Sequence, residues 1–219
     1  MGHPSMLPLP LNTSPGFRLP SRAGTLRRVE RGACLLQQGT SGGGLFLVRT
    51  GILREATVAP DGSWFVHDLL GPGDIGGSLT PAPALTSIRA VSTAVVVSLD
   101  TRGFDVLLQR HPDTAWALLR GLQRRIDRAQ LRVDELARCD VGERVLRRLC
   151  DLARRHGRPV PGGVRVEVLI TQEQLGSMVG ATRETTNRAL VPLVARGDVR
   201  IDARRFVVVR HVLDRAARA

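Results

Sequence analysis

The chain has 219 residues, room for one large domain or two ordinary ones, and 42% are hydrophobic, which excludes wholesale disorder. Its formal net charge is +12, and all 32 of its basic residues are arginine, set against 20 acids. No run approaches the roughly 18 apolar residues of a membrane span. Pro4, Pro8, Pro10 and Pro15 break up any signal-peptide core, so a cytoplasmic protein is expected.

Residues 1–139 hold 16 Arg against 11 acids, or +5, and residues 140–219 hold 16 against 9, or +7. The basic charge is therefore denser in the C-terminal third. A GC-rich genome is the alternative account of arginine over lysine, but it does not explain the excess of base over acid. Guanidinium forks bind phosphate and guanine edges in pairs of hydrogen bonds, which suits a nucleic-acid partner. Cys34, Cys139 and Cys150 form neither a CxxC pair nor a metal spacing, and reduced thiols with no metal or cofactor are expected.

Residues 1–23, rich in Pro, Ser and Gly, read as a flexible tail. From 24 to 111 come short β-type runs such as Leu45-Phe46-Leu47-Val48, Trp64-Phe65-Val66 and Ala94-Val95-Val96-Val97. Gly32, Gly39, Gly51, Gly62, Gly71 and Gly73 fall where the chain must reverse, which predicts a barrel or sandwich. Over 112–138 the period changes. Ala115, Leu119, Leu122, Ile126, Ala129, Val133 and Leu136 recur at alternating spacings of 4 and 3, a heptad seam for a second helix. The opposite face is full of arginine and acid. Packing against the chain's own domain is the alternative.

Cys139-Asp140-Val141-Gly142 breaks that helix and opens a second domain over 139–219. An amphipathic stretch follows, then a Pro/Gly loop from 156 to 163 and a strand-like alternation from Val164 to Ile170. Thr171 and Gln174 suit a capping box. Gly180 supplies a tight turn, Thr182 an N-cap, and Gly197 a stop for the next helix. Two helices around a short Gly turn, the second opening on Arg, Glu, Thr, Asn and Arg, make a DNA-reading helix-turn-helix. Residues 198–209, with Arg204 and Arg205 at the tip, predict a β-hairpin wing.

With Gly180-x-Thr182-Arg183-Glu184-Thr185-Thr186-x-Arg188, Gly71-Pro72-Gly73-Asp74 and Asp140-Val141-Gly142-Glu143-Arg144, the chain resembles the cyclic-AMP receptor protein and fumarate-nitrate regulator family of bacterial transcription factors over about residues 25–210. The resemblance implies an α+β chain. An N-terminal β-roll would be followed by a long dimerisation helix and a C-terminal winged helix-turn-helix. It implies a homodimer joined through Leu119, Leu122, Ile126, Ala129, Val133 and Leu136, bound to double-stranded DNA at a palindrome with TGTGA-like half-sites. Arg183 and Arg188 would each contact guanine, and Glu184 a cytosine amino group. Gln172, Thr182, Thr185, Arg204 and Arg205 would hold phosphates. The bland alternative is a surface ion pair between Glu184 and Arg188. Pro192 departs from the pattern and predicts a kink beyond the reading residues. By position, residues 155–163 would touch RNA polymerase.

Cyclic-nucleotide-binding relatives hold the ribose with a Glu after the Gly-Asp turn and the phosphate with an Arg-Ser or Arg-Thr pair. Dimer-helix polar groups hold the adenine. Aligned here, those positions become Gly76-Gly77, Ala84 and Leu85, and Ala129 and Gln130; Arg89 matches a different position, and only Thr86 and Ser87 lie nearby. Independence of cyclic nucleotide is expected. An unidentified small effector, His67 as a haem ligand, or redox control through Cys139 are the alternatives. No His/Asp/Ser constellation, phosphate loop or metal triad suggests an enzyme. A non-DNA scaffold is the remaining rival.

Overall fold

The computed structural model describes residues 24–41, 43–110 and 112–215. The N-terminal tail over 1–23 and the side chain of Ala115 lie outside the described residues. In chain order the first domain runs β1 (Thr25–Val29), β2 (Cys34–Leu36), β3 (Leu45–Thr50), β4 (Leu53–Val58), β5 (Trp64–Leu70), β6 (Ile75–Gly77), β7 (Ser87–Ala90) and β8 (Ala94–Leu99). The strands form two antiparallel sheets of four, ordered β1-β8-β3-β6 and β2-β7-β4-β5. This is the β-roll.

The unbroken apolar run of β3 follows from burial on both faces. Phe46 and Val48 join Leu53, Leu70, Ile88 and Val96 between the sheets. Leu45 and Leu47 face outward, where α1 (Thr101–Arg110) and the start of α2 (Pro112–Arg138) cover them with Leu107 and Leu118. A strand covered on both sides loses the polar alternation of a half-exposed one. Of the six reversal glycines, Gly32, Gly39, Gly51, Gly62 and Gly73 take positive φ. Gly71 is needed for space instead. A Cβ there would lie 2.7 Å from Cε1 of His156, so its absence lets the second domain approach.

That second domain runs α3 (Val141–His156), β9 (Gly157–Val160), β10 (Gly163–Val166), α4 (Gln172–Val179), α5 (Arg183–Ala195), β11 (Val199–Asp202), β12 (Arg205–Val209) and α6 (Arg210–Arg215). Asp140 caps α3 through the Glu143 amide. Val145, Leu149 and Leu152 of α3 pack with Leu175, Leu190, Leu193, Phe206 and Val208. The same cluster takes in Ala56, Val66 and Leu69 of the β-roll, so the domains share apolar contact.

Three expectations change here. The 156–163 segment is a hairpin of β9 and β10 rather than a loop. Its Pro159 is tolerated because β9 is a sheet edge. The strand-like alternation stops at Val166, although Val168 and Ile170 remain buried. Arg155 is no surface residue: it points into the β-roll, as described below.

Candidate DNA interface and the β-roll interior

The helix-turn-helix assembles from local rules. Thr171 and Gln174 close a reciprocal capping box at the start of α4, satisfying two amides that the helix leaves open. Gly180 ends α4 in the left-handed conformation, with φ of 64°. Thr182 then caps α5, accepting from the Thr185 amide at 3.2 Å. Thr186, Leu190 and Leu193 form the buried side of α5. The helix continues past Pro192 to Ala195.

Arg183, Glu184, Asn187 and Arg188 are exposed on the other side. Among the described residues Arg183 and Glu184 make no side-chain hydrogen bond or ion pair, and Arg188 touches only Thr185 Oγ1, at 3.3 Å. The Glu184–Arg188 ion pair is thus not formed. Thr182 donates to Thr185 Oγ1 at 3.0 Å, which leaves the Thr185 hydroxyl hydrogen for an acceptor outside the chain. Gln172, expected at a phosphate, instead donates from Nε2 to Asn187 Oδ1 at 3.1 Å.

The wing turns tightly at Ala203 and Arg204, both at positive φ (46° and 67°), the pattern of a two-residue hairpin turn. Arg204 is exposed there. Arg205, the other wing residue expected at a phosphate, has a partner within the domain. Its guanidinium donates to the carbonyl of Glu167 and, at 3.1 Å, to that residue's carboxylate, which holds it against the domain.

On α2, Leu119, Ile126, Ala129, Val133 and Leu136 are exposed and Leu122 is half-buried. One residue earlier along the helix runs a second stripe, Leu118, Gly121, Arg125, Arg128, Arg132 and Glu135, turned toward the rest of the chain. The arginines of this stripe are paired rather than solvated. Arg125 donates to the carboxylate of Glu55 and, at 3.0 Å, to the Ile75 carbonyl. Arg128 lies 3.3 Å from Asp68 and 3.7 Å from Asp74. Arg132 lies 3.3 Å from Asp68 and donates to the His67 carbonyl.

From the second domain, Arg155 completes the cluster, 2.7 Å from Asp68, 2.9 Å from Asp74 and 2.7 Å from the Leu69 carbonyl. Burial alone would raise the Asp68 carboxyl, but Arg155, Arg132 and Arg128 outweigh it and hold it well below the usual carboxylate range. Burial works against the Arg155 charge too, and Asp68, Asp74 and Asp151 more than compensate. Arg148, buried beside Met178 and Asp151, is pushed down to about 10 by burial and by Arg132.

At the positions aligned with those where relatives hold a cyclic nucleotide, the chain places two glycines and a buried alanine. Gly77 has φ of 107°, and any Cβ there would collide with the Gly44 carbonyl oxygen, so no acidic side chain fits at that position. A Cβ on Gly76 would come 2.5 Å from Leu70 Cδ1. Ala84 is buried in the inter-sheet core. The nearby hydroxyls are already engaged: Thr86 donates to Glu55 at 2.9 Å, and Ser87 accepts from the Gln38 amide at 2.9 Å. Glu55 itself is a buried carboxylate paired with Arg125.

His67 Nε2 lies 3.1 Å from Thr57 Oγ1, and burial lowers its pKa. The Cys139 thiol is pushed up by desolvation against the pull of Arg147, which makes its reactive thiolate scarcer. Among the described residues no His/Cys/Asp/Glu cluster could hold a metal, and no helix is long and apolar enough to cross a membrane.

The cyclic nucleotide-binding domain family matches residues 26–111, and the Crp-like helix-turn-helix domain family matches residues 143–216. The CRP-like cAMP-activated global transcriptional regulator of Mycobacterium tuberculosis is 32% identical over 181 residues, 81% of each chain. Among solved structures, FixK2 from Bradyrhizobium japonicum superposes with a TM-score of 0.75 at 20% identity, over 89% of this chain and 96% of that one. The c-di-GMP responsive regulator CLP of Xanthomonas campestris gives 0.72 at 21%, over 85% and 94%. Those two likenesses establish the fold; the mycobacterial identity and the two domain matches go further, and the chain belongs to the CRP/FNR family of helix-turn-helix transcription regulators.

Proposed function

We propose that this regulator acts as a homodimer on a palindromic site with TGTGA-like half-sites and does so without a cyclic nucleotide. The observation that carries the reading is the outward stripe of α5. Among the described residues Arg183, Glu184 and Arg188 have no acid or base partner, which suits groups kept for base edges. Thr182, Thr185 and Arg204 surround that stripe as phosphate contacts. The exposed seam of α2 supports the dimer. Five of its six apolar residues face solvent in a single chain, and a second copy would cover them and set two α5 helices about one DNA turn apart, roughly 34 Å. The β9–β10 hairpin is the surface for RNA polymerase, with Arg158 exposed on it.

Nucleotide independence rests on the misfit in the β-roll. A cyclic phosphate must be desolvated to enter, which is unfavourable without a charged or well-aligned donor. Without differential affinity no ligand can shift the DNA domains between states. Two measurements test the proposal. Selection from a random DNA pool, without nucleotide, should return a two-fold TGTGA-like site; a featureless pool would overturn it. Thermal unfolding with ~1 mM cyclic AMP or cyclic GMP should be unchanged, whereas a micromolar site would add roughly 4 kcal/mol.

A further inference from the structure

We infer that Asn187 is a fourth base-reading residue of α5, selective for adenine, and that Gln172 is the positioning residue that sets its amide. The inference rests on the reading of α5 as the base-reading helix. At about 100° per residue, Asn187 lies roughly 40° round the helix from Arg183 and about 60° from Glu184, inside the arc that Arg183 and Arg188 bound. Its neighbour Thr186 is fully buried on the far side, and Asn187 itself is exposed.

A lone surface asparagine has two amide orientations of nearly equal energy and discriminates poorly between bases. Here Gln172, the first residue of α4, donates from Nε2 to Asn187 Oδ1 at 3.1 Å. That bond fixes which way the amide points. It uses one lone pair of Oδ1 and leaves the other, together with both Nδ2 hydrogens, for the groove. A donor beside an acceptor complements adenine, whose N7 accepts and whose N6 amino group donates. Guanine at the same place offers two acceptors, so Oδ1 would face O6 with no hydrogen between them, an unmet pair in a desolvated groove. Gln172 thereby serves specificity from the supporting helix rather than through a phosphate.

The test is parallel selection from a pool of duplexes with randomised half-sites, using the full-length protein and its Asn187→Ala, Gln172→Ala, Gln172→Glu and Arg188→Ala variants. Thermal unfolding checks that each variant is folded. The wild-type consensus should contain an adenine in each half-site whose preference over guanine falls roughly tenfold or more in Asn187→Ala, with the other positions kept. Gln172→Ala should weaken preference at that same position by less. Gln172→Glu can only accept from Asn187, so it turns the amide round and should shift preference away from adenine there, a change that loss of packing alone would not produce.

Replacing that adenine by 7-deazaadenine should weaken wild-type binding and leave Asn187→Ala unaffected. Coincident consensus sequences for wild type and Asn187→Ala, with a position lost in Arg188→Ala, would overturn the inference and leave the α5 reading intact. A uniform affinity loss in Asn187→Ala would make it a backbone contact and overturn the inference likewise. No wild-type consensus at all would overturn both.

Discussion

α2 and α5 are both rich in arginine and use it in opposite ways. Arg125, Arg128 and Arg132 of α2 each meet a carboxylate of the β-roll, and Arg155 of α3 joins the same cluster. On α5, Arg183 and Arg188 meet no acid among the described residues. The difference teaches that the number of arginines on a helix says little about function. What decides is whether the counter-charge lies within the chain. A buried guanidinium that is paired and hydrogen-bonded holds structure together; an exposed one without its anion awaits a phosphate or a base.

The largest effect should come from breaking the paired region. Asp68→Asn keeps the shape of the side chain but removes the charge that Arg128, Arg132 and Arg155 share. Leaving such cations partly buried without their anion should cost roughly 3–5 kcal/mol in urea unfolding. A loss below about 1 kcal/mol would mean that solvent screens the cluster, and the contrast with α5 would weaken.

Next comes the other side of α2. Ile126→Asp places a charge in the exposed seam without touching the neighbouring arginine stripe. It should give monomers by sedimentation and lower DNA affinity on the order of 100-fold, because each half-site is then held alone. Dimers at unchanged concentration would refute the seam. Smaller again, Arg183→Ala or Arg188→Ala should cost roughly 1–3 kcal/mol at one base pair. Their folding stability should stay within about 0.5 kcal/mol of wild type, since these groups hold nothing in place. A large stability loss would give α5 the same structural use of arginine as α2.

Much of the architecture was legible because it is written in local periods. The heptad at Leu119, Leu122 and Ile126, the capping residues Thr171 and Thr182, and the glycine turn at Gly180 all act within a few residues of themselves. The ion cluster was not legible, because Arg125 and Arg128 find their acids 70 and 60 residues away. Their own heptad spacing, shared with Arg132, was the available signal, but arginine reads as solvated until an acid is seen opposite. The Arg205 contact was hidden for the same reason, with Glu167 lying 38 residues before it. β9 was hidden by Pro159, which only an edge position excuses. Asn187 was visible on the reading face, yet its bond to Gln172 exists only once α4 and α5 are packed.

The smallest effect expected is an acid sensitivity confined to the paired region. His156 ends α3, is buried against Gly71, and its Nε2 donates to the Leu69 carbonyl at 3.1 Å. Burial lowers its pKa from 6.5, Arg155 adds to this, and Asp74, Asp68 and Asp151 oppose it. The unfolded chain therefore takes up this proton near pH 6.5 while the folded chain still resists it, so stability must fall as pH drops through that value and level off below the folded pKa. His67, half-buried on β5, contributes with the same sign. Glu135, raised by burial, works the other way, because the folded chain takes up that proton above the unfolded value of 4.5. Asp68 stays ionised throughout this window. Urea midpoints should thus decline modestly from about pH 7.5 to about pH 5.5. His156→Gln, which keeps a donor for Leu69, should flatten that decline. The affinity of α5 for DNA should lack this dependence at matched folded fraction, because no histidine lies on its outward stripe. A midpoint that rises on acidification, or a decline unchanged by His156→Gln, would show that the contact between the domains does not depend on a neutral His156.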